Sequence, residues 1–220
     1  MGKMIVIEGL DGSGKGTQAA LLLSRLKESG KDAFEIDLPN YGDDSSALVR
    51  MYLGGEFGTR PDDVNAFAAS TFFAVDRYAS FKKFWSREYN SGKIIVANRY
   101  TTSNACHQMT KLPQKDWDYY LDWLFDFEYC KLEIPKPDCV IFLDMPVEVS
   151  QKLLEKRYLN DESKKDIHEL DVEYLEHCRF AAKYACEKLG WKRIVCAENG
   201  EPKSAKEISD LVFKVVKEYI

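Results

Sequence analysis

Between Gly9 and Thr17 the chain reads Gly-Leu-Asp-Gly-Ser-Gly-Lys-Gly-Thr, and no other stretch limits the possible folds as strongly. Just before it stands the short, apolar, β-branched-rich Met4-Ile5-Val6-Ile7, which suits a strand buried on both faces. Just after it, Leu22, Leu23 and Leu26 recur at helical spacing. A strand, a glycine loop and a helix in that order make a phosphate-binding loop. Glycine lets successive backbone N–H groups turn inward around a polyphosphate, and the helix N-terminus adds partial positive charge. Gly9, Gly12, Ser13, Gly14, Gly16 and Thr17 are therefore the expected cradle, with Lys15 reaching the β- and γ-phosphates. Gly16 occupies the position where a Ser or Thr usually meets Mg²⁺, so Thr17 is the nearest hydroxyl.

Downstream the pattern keeps alternating. Residues 32–37 read as a second strand, and Leu38-Pro39-Asn40-Tyr41-Gly42 as a loop leading to a short helix over 46–53. Pro61, followed by Asp62 and Asp63, predicts the start of a helix continuing to Tyr89, about 40–45 Å long at 1.5 Å per residue. On it Phe73 and Arg77 share a face. Either they line a pocket, or Phe72 and Phe73 are core and Arg77 pairs with an acid.

Ile94-Ile95-Val96-Ala97 is another apolar strand leading into Asn98-Arg99-Tyr100. Residues beyond the carboxyl ends of strands face the crevice of an open α/β sheet, so Arg99 is placed either to reach phosphate or to form a surface ion pair. Asn104, His107 and Gln108 follow on one helical face. An aromatic-rich helix over 116–129, a strand from Cys139 to Leu143, a helix from Asp171 to Leu189, a short strand over 193–196 and a final helix over 204–219 complete the chain. Lys152, Lys156, Arg157, Lys164 and Lys165 make residues 151–165 either a cationic flap or a solvated helix end.

The 220 residues, 45% hydrophobic and without a Pro/Gly/Ser-rich linker, predict a single domain over 1–220 with a parallel sheet covered on both faces. A net charge of −5 and pI ≈ 5.4 give no electrostatic footprint for duplex DNA or RNA, so a nucleotide ligand should be small. The six cysteines form no CxxC pair, and no apolar run approaches the ~20 residues of a membrane span. With no signal peptide expected, the chain reads as cytoplasmic and reduced.

Four separated motifs resemble those of the thymidylate kinases, a family of P-loop nucleoside-monophosphate kinases, over almost the whole chain. They are Glu8-Gly9-Leu10-Asp11-Gly12-Ser13-Gly14-Lys15, Leu38-Pro39-Asn40-Tyr41, Phe73-Ala74-Val75-Asp76-Arg77 and Asn98-Arg99-Tyr100. The resemblance implies a three-layer P-loop NTPase-type α/β fold, with a mostly parallel five-stranded sheet and a short lid at about 151–166. It also implies transfer of the γ-phosphoryl group of ATP, with Mg²⁺, to dTMP, and a homodimer with neither nucleic-acid nor membrane partners. Lys15 and the loop amides would hold the ATP phosphates, Asp11 would lie beside the acceptor sugar and phosphate, and Arg99 would clamp that phosphate, with Tyr41 near it. Phe73 would stack on thymine, Arg77 bond the base edge, Asn104 complete the pocket, and His107 lie near sugar and base. Arg157, and with it Lys164 and Lys165, falls in the lid. Because Gly12 stands where some members carry an arginine, Arg157 becomes the transition-state cation.

The chain departs from the family pattern at Leu38 for Phe, at Tyr41 near a common arginine, and at Asn98 for Asp. An amide orients a metal-bound water but cannot neutralise the ion, so with Asn98 at the metal position Glu8 or Asp11 would carry more of that charge. Two other readings share the loop. One is a kinase for a different nucleotide, since Gly16-Thr17 is similar to the adenylate-kinase form. The other is ATP binding without transfer, motivated by Asn98 and Gly16.

Overall fold

Met4, Ile5, Val6 and Ile7 have no solvent exposure, because β1 (Lys3–Gly9) is the middle strand of a five-stranded sheet. The fold is that of a computed structural model describing residues 1–158, 168 and 171–220, with backbone alone at 157 and 158. The other strands are β2 (Ala33–Asp37), β3 (Ile94–Asn98), β4 (Cys139–Asp144) and β5 (Lys192–Val195). They lie in the order β2-β3-β1-β4-β5, and every neighbouring pair is parallel. In register, Asn98 sits opposite both Ile7 and Asp37. The ends of β1, β2 and β3 therefore open onto one edge, where the glycine loop begins.

Helices cover both faces, as a parallel sheet requires. On one face Ile5 and Ile7 pack against α1 (Lys15–Glu28) through Leu22 and Leu26. On the other, Met4 and Val6 pack with Trp85 and Tyr100. Following α1 come α2 (Ala47–Leu53), α3 (Ala66–Ser80), α4 (Ser86–Asn90), α5 (Thr102–His107) and α6 (Trp117–Phe125). Then come α7 (Val147–Tyr158), α8 (Val172–Leu189) and α9 (Ala205–Val216), the last joining the Ile5 face through Ile208, Val212 and Val216. The aromatic-rich stretch is largely core, since Trp117, Tyr120, Leu121 and Leu124 are buried with Ala181 and Ala185 of α8.

The fold is the three-layer α/β arrangement expected from the sequence, with differences of detail. The long helix over 61–89 is broken. Pro61–Asp63 forms a 3₁₀ turn, Val64 is extended, and Asn65 starts α3 afresh by accepting a hydrogen bond from the Ala68 N–H (2.9 Å). That helix then widens into a π segment at Phe81–Trp85 before α4. The aromatic helix likewise continues as a π segment, Asp126–Lys131. A small antiparallel pair, Ala197–Glu198 with Glu201–Pro202, has no counterpart in the sequence reading. The first part of the expected lid, 151–158, is the end of α7, whereas 159–167, with Lys164 and Lys165, lie outside the described residues. Among the described residues no helix is long and apolar enough to cross a membrane. All six cysteines are free thiols, and only Cys130 is exposed.

Candidate active site

The loop between β1 and α1 owes its shape to two glycines in the left-handed region. Gly12 has φ 78°, and a Cβ there would lie 2.5 Å from the Ser150 carbonyl oxygen. Gly14, at φ 87°, caps α1. Any other residue would be strained at both positions, and at Gly12 would also clash with α7. Inside the loop Lys15 is buried, its Nζ donating to the Leu10 carbonyl (2.8 Å) and lying 3.4 Å from Asp11 Oδ1.

Across from it, Arg99 follows β3 with φ 66°, a conformation that costs a residue with a side chain of order 1–3 kcal/mol. Glu8 holds that turn. It is fully buried, and Oε1 accepts from the Tyr100 N–H (3.2 Å), Thr102 Oγ1 (2.7 Å) and Ser103 Oγ (2.9 Å). Glu8 is not among the residues lining the site cavity, so the metal role expected for it is not where its side chain points.

Arg99 Nη2 donates to Asp11 Oδ1, the same oxygen that faces Lys15. One carboxylate thus stands between two cations. Burial alone would raise the Asp11 pKa, but the charges of Arg99 and Lys15 outweigh it and hold the group far below the usual carboxylate range. Burial and the Arg99 charge push Lys15 down to about 8, against the opposing pull of Asp11 and Glu8. His107 is pushed down to about 3 by burial and then by Arg99, so its ring is neutral. Its Nε2 lies 3.4 Å from Arg99 Nη1, which can only donate; the ring proton is therefore on Nδ1.

These groups line a cavity of about 810 Å³, which Phe73, Arg77, Asn104 and Gln108 also line. Tyr41 lines it too, 52% exposed. Arg77 joins the two alternatives left open by the sequence: it lines the cavity and also pairs with an acid. Its Nε donates to Glu128 Oε2 (2.6 Å) and its Nη2 to Glu128 Oε1 (2.5 Å), a bidentate fork in a fully buried setting. Thr101 Oγ1 adds a third donor to Glu128 (2.8 Å). Asn98 lines the cavity, with Nδ2 donating to Asp37 Oδ1 (2.8 Å). Arg157 lies on α7, and its side chain is outside the described residues.

Buried polar atoms without a partner concentrate here. Ser13 Oγ, Gln18 Oε1, Asn98 Oδ1, His107 Nδ1 and Gln108 Oε1 all belong to cavity-lining residues, and among the described residues only Trp85 Nε1 lies elsewhere. Such atoms cost free energy unless something polar meets them, so the cavity suits a ligand with both donors and acceptors.

Four participants were missed in the sequence. Glu128 is far from Arg77 along the chain, in a stretch read as aromatic core. Asp76 lines the cavity and orders the 38–45 loop, accepting from the Asn40 N–H (2.9 Å) and Ser45 Oγ (2.9 Å). His168 lines the cavity with its ring 5.7 Å from that of His107 and stacked at 10°. Asp37 lines it at the end of β2. Among these only Asp37 carried a usable signal, being an acid at the carboxyl end of a strand.

A glycine cradle with a buried lysine, faced by an arginine just beyond the neighbouring strand, defines a P-loop nucleotide-binding fold of the phosphoryl-transfer class. More narrowly, the chain belongs to the thymidylate kinase family, whose sequence model matches residues 7–207. It is similar to a probable thymidylate kinase of Thermococcus onnurineus, 33% identical over 160 residues, covering 72% of this chain and 74% of that protein. A probable thymidylate kinase of Thermococcus gammatolerans is 30% identical over 217 residues and 96% of each chain. In fold it is similar to the thymidylate kinase of Candida albicans, with a TM-score of 0.70 at 19% identity, covering 99% of this chain and 92% of that one.

Proposed function

We propose that this chain transfers the γ-phosphoryl group of MgATP to dTMP, giving dTDP and ADP. The observation that carries the reading is Asp11, whose one oxygen holds Lys15 and Arg99 together at the mouth of the glycine loop. Two cations sharing a carboxylate are positioned to be shared by phosphates instead. Lys15 takes the β- and γ-oxygens of ATP, and Arg99 the acceptor phosphate. An oxygen of the acceptor phosphate forms a bond to the γ-phosphorus as the bond to the β-bridging oxygen breaks. Positioning and charge neutralisation carry such a reaction.

In the same cavity, Phe73 offers a ring to the thymine, Arg77 and Asn104 reach its edge, and His107 Nδ1 and Gln108 Oε1 supply a donor and an acceptor. Glu128 fixes the guanidinium of Arg77 in one plane, which suits recognition of a base edge. Asn98 Oδ1, a buried acceptor without a partner, fits a metal-bound water and stands beside Gly16, whose added Cβ would lie 3.6 Å from Asn98 Nδ2. Mg²⁺ bound with ATP would neutralise charge on the β- and γ-oxygens. Arg157 enters this proposal as a lid cation. The single domain over 1–220 and the homodimer belong to it as well, and support for the dimer is the exposed Val75, Tyr78 and Phe84.

Purified protein incubated with MgATP and each of dTMP, dUMP, CMP, GMP and AMP, with ADP release measured, tests the reading. Turnover is expected to be highest with dTMP. If dTMP is no better than AMP, the base assignment is wrong; if no nucleotide supports ADP release, the transfer reading is.

A further inference from the structure

Among the described residues three carboxylates line the cavity, and two are already committed. Asp11 pairs with Lys15 and Arg99, and Asp76 accepts from the Asn40 N–H and the Ser45 hydroxyl. The third, Asp37, has no Lys or Arg partner among the described residues, and its one hydrogen bond there comes from the neutral amide of Asn98. Because a carboxylate can only accept, the amide nitrogen of Asn98 must face Asp37, and this turns Asn98 Oδ1 the other way. That oxygen is the buried acceptor without a partner. Beside the pair runs the backbone of Gly16, where the loop lacks the hydroxyl that would serve a metal.

An acid at position 98 would place two carboxylates within hydrogen-bond distance of each other, with like charges opposed. With Asn98 and Asp37 the pair carries a single negative charge, as one acid at 98 beside a neutral residue at 37 would. The carboxylate of this pair thus stands at the end of β2, one strand away from the position 98 acid of the family pattern.

We propose that Asp37 supplies the carboxylate charge for the nucleotide's divalent cation, while Asn98 fixes Asp37 and offers Oδ1 to a water on that cation. The proposal rests on MgATP being a substrate, but its test does not need transfer to occur. Mn²⁺, as a paramagnetic probe, is titrated by electron paramagnetic resonance into the full chain saturated with a non-hydrolysable ATP analogue. Asp37→Asn is expected to weaken Mn²⁺ binding about 10- to 100-fold, the usual effect of removing a group that supports a metal. Thermal melting checks the fold, which should persist because Asp37 is exposed. The double variant Asp37→Asn/Asn98→Asp returns one carboxylate to the pair and is expected to recover most of the loss. Unchanged Mn²⁺ affinity in Asp37→Asn overturns the proposal, and so does a loss that the double variant fails to recover. Native protein that binds Mn²⁺ with the analogue yet transfers nothing to dTMP would contradict the functional reading and leave this one standing.

Discussion

Lys15→Ala is expected to leave a folded protein whose phosphoryl transfer falls by at least about 10²–10³, equivalent to roughly 3–4 kcal/mol of transition-state stabilisation. Lys15 is the cation of the glycine loop, and among the described residues the other lysines and arginines that line the cavity are Arg77, Arg99 and Lys203. Folding should survive because the ammonium is not what holds the loop. Asp11 keeps its bond to Arg99, and Gly12 and Gly14 keep their backbone conformation. Burial already works against the charged form of Lys15, so its removal should not lower the melting temperature. Steady-state turnover beside a thermal melt checks both halves. Turnover within tenfold of the native chain would remove Lys15 from the mechanism.

Glu128→Ala should act on the fold itself. Glu128 and Arg77 form a bidentate pair, 0% and 4% exposed, and Thr101 leans on the same carboxylate. Deleting one partner leaves a buried guanidinium without its counter-charge, which typically costs 3–5 kcal/mol. For a chain of this size that lowers the melting temperature by roughly 6–20 °C. Replacing both members by apolar residues, Arg77→Leu with Glu128→Leu, should regain much of the stability while dTMP binding stays impaired. If Glu128→Ala melts with the native protein, the pair is not structural. If the double variant binds dTMP normally, Arg77 does not read the base.

What the sequence disclosed follows from the range of the interactions involved. The glycine loop, its lysine and the flanking strand and helix are written locally, because backbone geometry and burial of neighbouring residues determine them. Arg99 was placed by the rule that strand ends face the crevice, and its turn sits there. Contacts across elements left no such trace. Glu128 lies in a π segment within an aromatic stretch, and nothing beside it names Arg77 as its partner. The break at Val64–Asn65 was hidden because Pro61-Asp62-Asp63 starts a helix as convincingly as the Asn65 cap does, and propensity alone does not choose between two starts four residues apart. Asn98 looked like a deficiency until β2 was set beside β3 and Asp37 came opposite it.

In the proposed reaction Asp11 releases two cations to two nucleotides in one crevice. A crystal structure of the chain with a non-hydrolysable ATP analogue and dTMP bound together measures this directly. The expected result is Lys15 Nζ on the β- and γ-oxygens of the analogue and Arg99 within about 3 Å of the dTMP phosphate, on the opposite side of the transferred group. Arg99 still closed on Asp11, with the dTMP phosphate bound elsewhere, would contradict it.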